Sequence, residues 1–165
     1  MNPEEIKNKV CEYLSSLGIE YERHDHDPIF TMEEINNSNL DPDGYIAKNL
    51  FLRDNSGKRH MLVTISGDKT PDLKVLRGSL ESSRLSFGSE ERLWDRLSLT
   101  KGSVSPMGLM NDKENLVEFF LDRDLLERPY IGIHPNHNSA TLFLKVADLI
   151  AAVEKTGHVV KIIEV

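Results

Sequence analysis

Two short apolar runs separated by a tight turn do most to restrict this fold. Residues 45–54 (YIAKNLFLRD) and 59–66 (RHMLVTIS) flank Asn55-Ser56-Gly57, and runs of this kind around such a turn read as an antiparallel β-hairpin. An isolated hairpin is marginal in water, so helices or further strands must cover it. Lys48 lies inside the first run, where an ammonium among apolar neighbours must face solvent or a ligand. The ordinary fate of such a lysine is to lay its stem on apolar surface and keep its charge in water. The hairpin fixes its position either way.

At 165 residues the chain can bury a core without disulfides or a structural metal, and one domain spanning 1–165 is expected. Cys11 is the single cysteine; it sits in a helical pattern and can form no internal disulfide, which fits a reducing cytoplasm. No apolar stretch approaches the roughly 20 residues of a membrane span, and the N-terminus lacks a signal-peptide pattern, so a soluble cytoplasmic protein is expected. The net charge of −7 opposes indiscriminate binding to polyanions, yet the charge is segregated. Residues 1–44 carry 3 basic and 11 acidic side chains, 45–101 carry 11 and 7, and 102–165 carry 6 and 9. A basic middle third can meet phosphates locally, because screening confines its field to about 8 Å. A mixed, solvated surface reads equally well from charge alone.

Along the chain, Asn2 and Pro3 start a helix with Ile6, Val10, Leu14 and Leu17 on one face, closed by Gly18. A short strand is predicted over 19–23, and Thr31-Met32-Glu33-Glu34 is a capping-box pattern that opens a second helix. After the hairpin, helices are predicted over 71–80 and from Ser89 onward, the latter with Leu93, Trp94 and Leu97 turned inward. Strands are predicted over 84–87, 116–121, 130–134, 140–145 and 159–165. Residues 122–127 read as a turn or short helix, and 147–155 as the last helix, capped by Gly157. Helices interspersed with short strands imply an α/β domain with one mixed, curved β-sheet and surrounding helices.

Few residues offer chemistry on their own. Cys11 at core spacing reads as a buried hydrophobe, and no Gly-x-Ser-x-Gly elbow is present. His24 and His26 on one strand face could begin a metal site, but a third ligand is lacking and a polar turn into Pro28 reads better. His60 is expected at the sheet surface, while His137 and His158 lie in turn-rich contexts. In Gly102-Ser103-Val104-Ser105-Pro106 the glycine permits close approach of backbone to a ligand and the proline stiffens the loop. Exposed amides there could hold a carbonyl oxygen or oxyanion. His134 precedes Pro135, which restrains it to extended backbone; a structural histidine closing a strand reads as well.

Taken together, these segments resemble the YbaK/ProX superfamily of aminoacyl-tRNA deacylases, and within it the free-standing prolyl-tRNA editing branch. The resemblance rests on Lys48-Asn49-Leu50-Phe51-Leu52 with Asp54, on Gly102 to Pro106 with Met107-Gly108-Leu109, and on His134-Pro135 with Asn138-Ser139-Ala140-Thr141. His26, Phe30-Thr31 and Thr156-Gly157-His158 extend it over nearly the whole chain. It implies a single-domain hydrolase, without metal or organic cofactor, that cleaves the ester of mischarged tRNA for proline, with alanyl-tRNA as the typical substrate.

Carried over residue by residue, the resemblance assigns catalysis to Lys48, Gly102 and His134. It places Asn49, Ser103, Ser105, Pro106, Met107, Pro135, Ser139 and Ala140 around the substrate. The basic middle segment adds Lys69, Lys74, Arg77 and Lys101 as candidate tRNA phosphate contacts. The implied partners are the acceptor end of the tRNA and, transiently, prolyl-tRNA synthetase. Lys48, Gly102 and His134 are expected to converge on a cavity too small for a proline ring. The polar filling of the 102–105 loop and Asn136-His137 after Pro135 depart from many relatives and bear on the choice of amino acid. Removal of cysteine from the same tRNA, or non-catalytic sensing of a charged tRNA, are the competing readings.

Overall fold

The computed structural model describes residues 1–165. Asn2 accepts a hydrogen bond from the Glu5 amide and opens helix α1, Pro3–Ser16, which turns Val10, Cys11 and Leu14 inward. Its end is a Schellman closure: Gly18, at φ +72°, donates to Ser15 O and Ile19 donates to Leu14 O. That closure takes Ile19 out of the strand predicted there, so β1 begins later, at Glu22–Asp25. Thr31 caps α2, Met32–Asn37, by accepting from the Glu34 amide. The Glu34 carboxylate reaches back to the Phe30 amide at 3.4 Å, one residue earlier than a standard capping box.

The hairpin forms as expected from β2, Lys48–Arg53, and β3, His60–Ile65, in antiparallel register with Lys48 opposite Ile65. Next come α3, Leu73–Ser79; β4, Ser86–Phe87; and α4, Glu90–Leu97. A 3-10 helix, Pro106–Asn111, leads to β5, Val117–Asp122, and a second one, Arg123–Glu127, to β6, Tyr130–Ile133. The chain ends with β7, Ala140–Lys145, α5, Val146–Lys155, and β8, Val160–Ile163. No helix is long and apolar enough to cross a membrane.

The α/β class holds, but the strands divide between two sheets. One is five-stranded and mixed, in the order β4-β2-β3-β5-β8; the other is antiparallel, in the order β1-β7-β6. They meet at a single parallel bridge between Ile46 and Gly132, where Gly132 donates to Tyr45 O at 2.8 Å and Ala47 donates to Gly132 O at 3.0 Å. This joint explains why β2 starts at Lys48 and not Tyr45: the first residues of the apolar run pair with the other sheet. Glycine is required at 132, since a Cβ there would lie 2.7 Å from the Ile46 side chain and 2.9 Å from the Phe143 ring.

Both faces of β2 are covered, Phe51 entering the larger core with α1, α4 and α5 while Leu50 and Leu52 enter a smaller one beneath α3. All six residues of β3 are buried. His60 is therefore interior, not at the sheet surface as expected. Its ring stacks on Phe51 with centroids 5.8 Å apart, and Nε2 accepts from Arg92 at 2.9 Å. Burial, with Arg96 and Arg92 nearby, pushes its pKa below the usual value. On α4, Leu93 and Leu97 share the buried face, four residues apart, but Trp94 is turned out and 57% exposed.

Candidate active site

Two loops and one short segment are stitched together at the end of the smaller sheet. The first loop leaves α4 through Ser98, at φ +54°, and turns where Ser103 donates to Thr100 O at 3.0 Å. Gly102 has φ +85°, and a Cβ on it would fall 2.7 and 2.9 Å from ring carbons of Phe30, so conformation and contact both demand glycine. Ser105 caps the following 3-10 helix by accepting from the Met107 amide. The second loop follows β6 and contains Asn136 at φ +62°.

Three cross-links join the loops. Ser105 Oγ donates to His134 O at 2.6 Å, the Asn138 amide donates to Ser103 Oγ at 3.0 Å, and Asn136 Nδ2 donates to Met107 O at 3.2 Å. The 26–30 segment is fastened to the second loop: Ile29 donates to Asn138 O, Asn138 Nδ2 donates to Ile29 O, and His26 donates to Ser139 O. Asn138, to which the sequence alone gives no site role, is thus the hub of all three pieces. Its signal is only visible once residues 29, 103 and 138 are seen side by side.

These bonds decide which groups remain open. His134 Nδ1 lies 3.0 Å from Ala140 O; a carbonyl can only accept, so Nδ1 carries the proton and Nε2 is left as a lone pair without a protein partner. Burial lowers the His134 pKa, outweighing the Ala140 bond that acts the other way, with His26 and His137 lowering it further. In the first loop only Ser103 among residues 102–104 has its amide engaged, which leaves the N–H groups of Gly102 and Val104 without acceptors. An uncharged acceptor therefore adjoins a loop of free donors.

Lys48 stands two residues past the inter-sheet bridge on one segment, and His134 two residues past it on the other. The parallel register sets both at the same end of the joint. The half-buried Lys48 ammonium has no carboxylate partner and donates to Lys69 O at 2.5 Å, so backbone holds it in place and it makes no direct bond to either loop. Asn49, half-buried beside it, accepts from Thr64 Oγ1 at 2.6 Å.

The remaining candidates divide by accessibility. Ser103, Ser105, Pro106, Met107, Pro135 and Ala140 are buried, and both serine hydroxyls are engaged in holding the loops. Ser139 is half-buried and bonded to His137. Lys74, Arg77 and Lys101 are exposed and free of ion pairs. Lys69 is not free: it is held by Asp122, Asp124 and Val165 O, so the fold itself neutralises the charge expected to meet phosphate. The histidines 24 and 26 bond Glu22 and Thr141 instead of converging on a third ligand.

One hollow, of about 780 Å³, does not lie where Lys48, Gly102 and His134 were expected to enclose one. It lies toward the other end of the smaller sheet, between Tyr45, Tyr130 and Lys145, with Glu20, Glu22, Asp41, Asp43 and Asp148 around it. Such an acidic rim repels a polyanion. The stitched loops carry the open polar groups and are the better candidate.

The chain resembles known proteins over the same region. Residues 26–152 match the family model of the aminoacyl-tRNA editing domain. The prolyl-tRNA editing protein ProX of Acetoanaerobium sticklandii is 43% identical across 97% of this chain and 98% of its own length. Prolyl-tRNA synthetase associated domain-containing protein 1 of Danio rerio is 34% identical across 94% of this chain and 85% of its own. Among solved structures, a candidate trans-editing enzyme for prolyl tRNA synthetase aligns with a TM-score of 0.74 at 20% identity, covering 100% of this chain and 99% of that one. That last likeness speaks to the fold, and the three before it to descent. With the domain matched across the very loops that build the site, the chain belongs to the aminoacyl-tRNA editing domain family.

Proposed function

We propose that this protein is a trans-editing hydrolase that deacylates mischarged tRNA for proline, with alanyl-tRNA as its principal substrate. The observation that carries the reading is His134 held as a neutral acceptor, with Nε2 open, next to the unengaged amides of the 102–104 loop. Family membership and the 43% identity to a prolyl-tRNA editing protein support the reaction class. Likeness to a relative described as prolyl-tRNA synthetase associated supports transient contact with prolyl-tRNA synthetase.

An aminoacyl ester needs only an oriented water, a stabilised oxyanion and a site that excludes the wrong side chain. Water oxygen attacks the carbonyl carbon, and the carbonyl oxygen gains negative charge opposite the Gly102 and Val104 amides. The bond to the ribose oxygen then breaks, that oxygen takes a proton, and free amino acid leaves. A ribose hydroxyl of the terminal adenosine, near the carbonyl in any aminoacyl-tRNA, can relay protons to and from the water.

Lys48 acts as a charge and not a base. One of its three N–H bonds is used on Lys69 O, and two remain for the terminal phosphate or the substrate carbonyl. His134 Nε2 takes a hydrogen bond from the substrate α-ammonium, which orients the ester. Ser103, Ser105, Asn136 and Asn138 keep the loops in register.

A pocket built for proline cannot strongly reject alanine, because a methylene or two is worth about 1–3 kcal/mol each. A second, smaller site makes up the difference. The test is a panel of tRNAs acylated with alanine, serine, cysteine, glycine and proline, incubated with purified protein. Release of alanine well ahead of the rest is expected. Preference for cysteine would replace the substrate, and binding of all five without hydrolysis would replace the enzyme by a sensor.

A further inference from the structure

Phe30 is the most exposed aromatic side chain in the protein, with 65% of its surface in water, yet it is not on a loose segment. Its neighbour Ile29 exchanges two hydrogen bonds with Asn138, its own amide donates to Glu34, and Thr31 caps α2 directly after it. Its ring packs on Gly102 so closely that any Cβ there would collide with two ring carbons, while the next nearest atom is Asn138 Nδ2 at 3.4 Å. One part of the ring therefore forms a wall of the proposed active site and the rest is offered to solvent. A large apolar side chain held open at this place is unexplained by packing, since Ile29, Ile35 and Ile46 form the local apolar cluster without it.

We infer that Phe30 is the stacking platform for the terminal base of the aminoacylated RNA. The inference rests on the deacylase function proposed above and adds to it the subsite that holds the nucleoside. A purine on the open part of the ring places its ribose beside Gly102, so that the ester attached to that ribose meets the amides of residues 102 and 104. Stacking is indifferent to base identity in its energetics and fixes the base plane. It supplies grip on a single-stranded end, where no duplex groove exists to be read. Gly102 then has two duties from one property: lacking a side chain, it lets the ring close on the loop and leaves the loop amides bare.

The experiment is a cycle in which both members of the stacked pair are removed. Binding is measured for two unacylated RNA hairpins with the acceptor-stem sequence, one ending in a normal adenosine and one whose last nucleotide has no base. Wild type, Phe30→Ala and Phe30→Tyr are each compared. Loss of the base should weaken binding to wild type and to Phe30→Tyr by about 5- to 150-fold, the span that stacking of about 1–3 kcal/mol gives. In Phe30→Ala it should cost close to nothing. An equal base effect in all three proteins, or none in wild type, overturns the inference. Unchanged thermal unfolding of Phe30→Ala shows that the fold is intact. Hydrolysis of alanyl-tRNA by wild type is scored separately: hydrolysis with a flat cycle removes the platform alone, and a base-dependent cycle without hydrolysis removes the deacylase function alone.

Discussion

His134 and His158 are both packed into this fold, and the difference between them separates a histidine with an open valence from one with none. His158 is 3% exposed and has both nitrogens engaged, Nδ1 with Thr156 Oγ1 at 2.7 Å and Nε2 with Asp112 at 2.8 Å. Asp112, equally buried, also accepts from the amides of Leu116 and Val117, so the pair clasps the start of β5 to the end of α5 with nothing left over. His134 has one nitrogen fixed by Ala140 and the other open. A closed network rigidifies; an open valence beside free amides can receive a substrate.

The largest effect is expected at the open end of that comparison. Lys48→Ala should lower deacylation of alanyl-tRNA by roughly 10²–10³-fold, the usual cost of deleting a stabiliser of transition-state charge. Far-UV circular dichroism should be unchanged, because the lysine has no ion-pair partner whose charge would be left stranded. Near-normal turnover would remove Lys48 from catalysis. Next comes the closed end: His158→Ala should cost about 2–4 kcal/mol of stability in urea unfolding, through a cavity and broken hydrogen bonds. Activity per folded molecule should survive. A stable but inactive variant would erase the distinction between the two histidines.

Much of the fold was legible because it is local. The Asn2 and Thr31 caps, the Gly18 closure and the hairpin about Gly57 all involve residues within a few positions of each other. The two-sheet division was not, since it depends on Ile46 meeting Gly132, far along the chain. The same holds for His60, interior because β3 lies between β2 and β5, and for Lys69, neutralised by Asp122 and Asp124. At the candidate site, glycine and proline chemistry left Gly102 and His134 open between structural and functional readings, and only the family resemblance singled them out. Sequence could not separate the serines that brace the loops from groups open to substrate, because that depends on what Asn138 and His134 O do across the gap. Trp94 was misplaced for a simpler reason: it adjoins the Leu93–Leu97 face by one position, and helical pattern alone does not fix the stripe's width.

A smaller effect sharpens the role of His134. His134→Ala should slow alanine release by on the order of tenfold or loosen the choice among amino acids, with little change in stability. For the wild type, rate should fall on the acid side only below pH ~6.5, the ordinary histidine value, because protonation of Nε2 would set a cation against the substrate ammonium. Stability follows the same sign. His60, His134 and His137 all have folded pKa values below their unfolded ones, so the unfolded chain takes up protons first. The contribution of these three is fully present above the unfolded value and declines as pH falls through it. An acid limb that persists unchanged in His134→Ala would assign the titration to another group.

The least effect, and the one that tests where the RNA lies, concerns the exposed cations. Lys74 and Arg77 ride on α3, and Lys101 adjoins Gly102; none is in an ion pair. Replacing the three by glutamine should weaken tRNA binding and flatten its dependence on salt, the slope falling by somewhat under one for each phosphate no longer neutralised. Lys69→Gln should behave differently, because the wild-type charge already faces Asp122 and Asp124: it should lower stability, the almost fully buried Asp122 carboxylate losing its cation. Its salt slope should match wild type. Were Lys69→Gln to flatten the slope while the triple variant left it intact, the RNA would run along the β5 end of the larger sheet and not over α3 toward the Gly102 loop. The open valences at His134 and the 102–104 amides would then be approached from the opposite side.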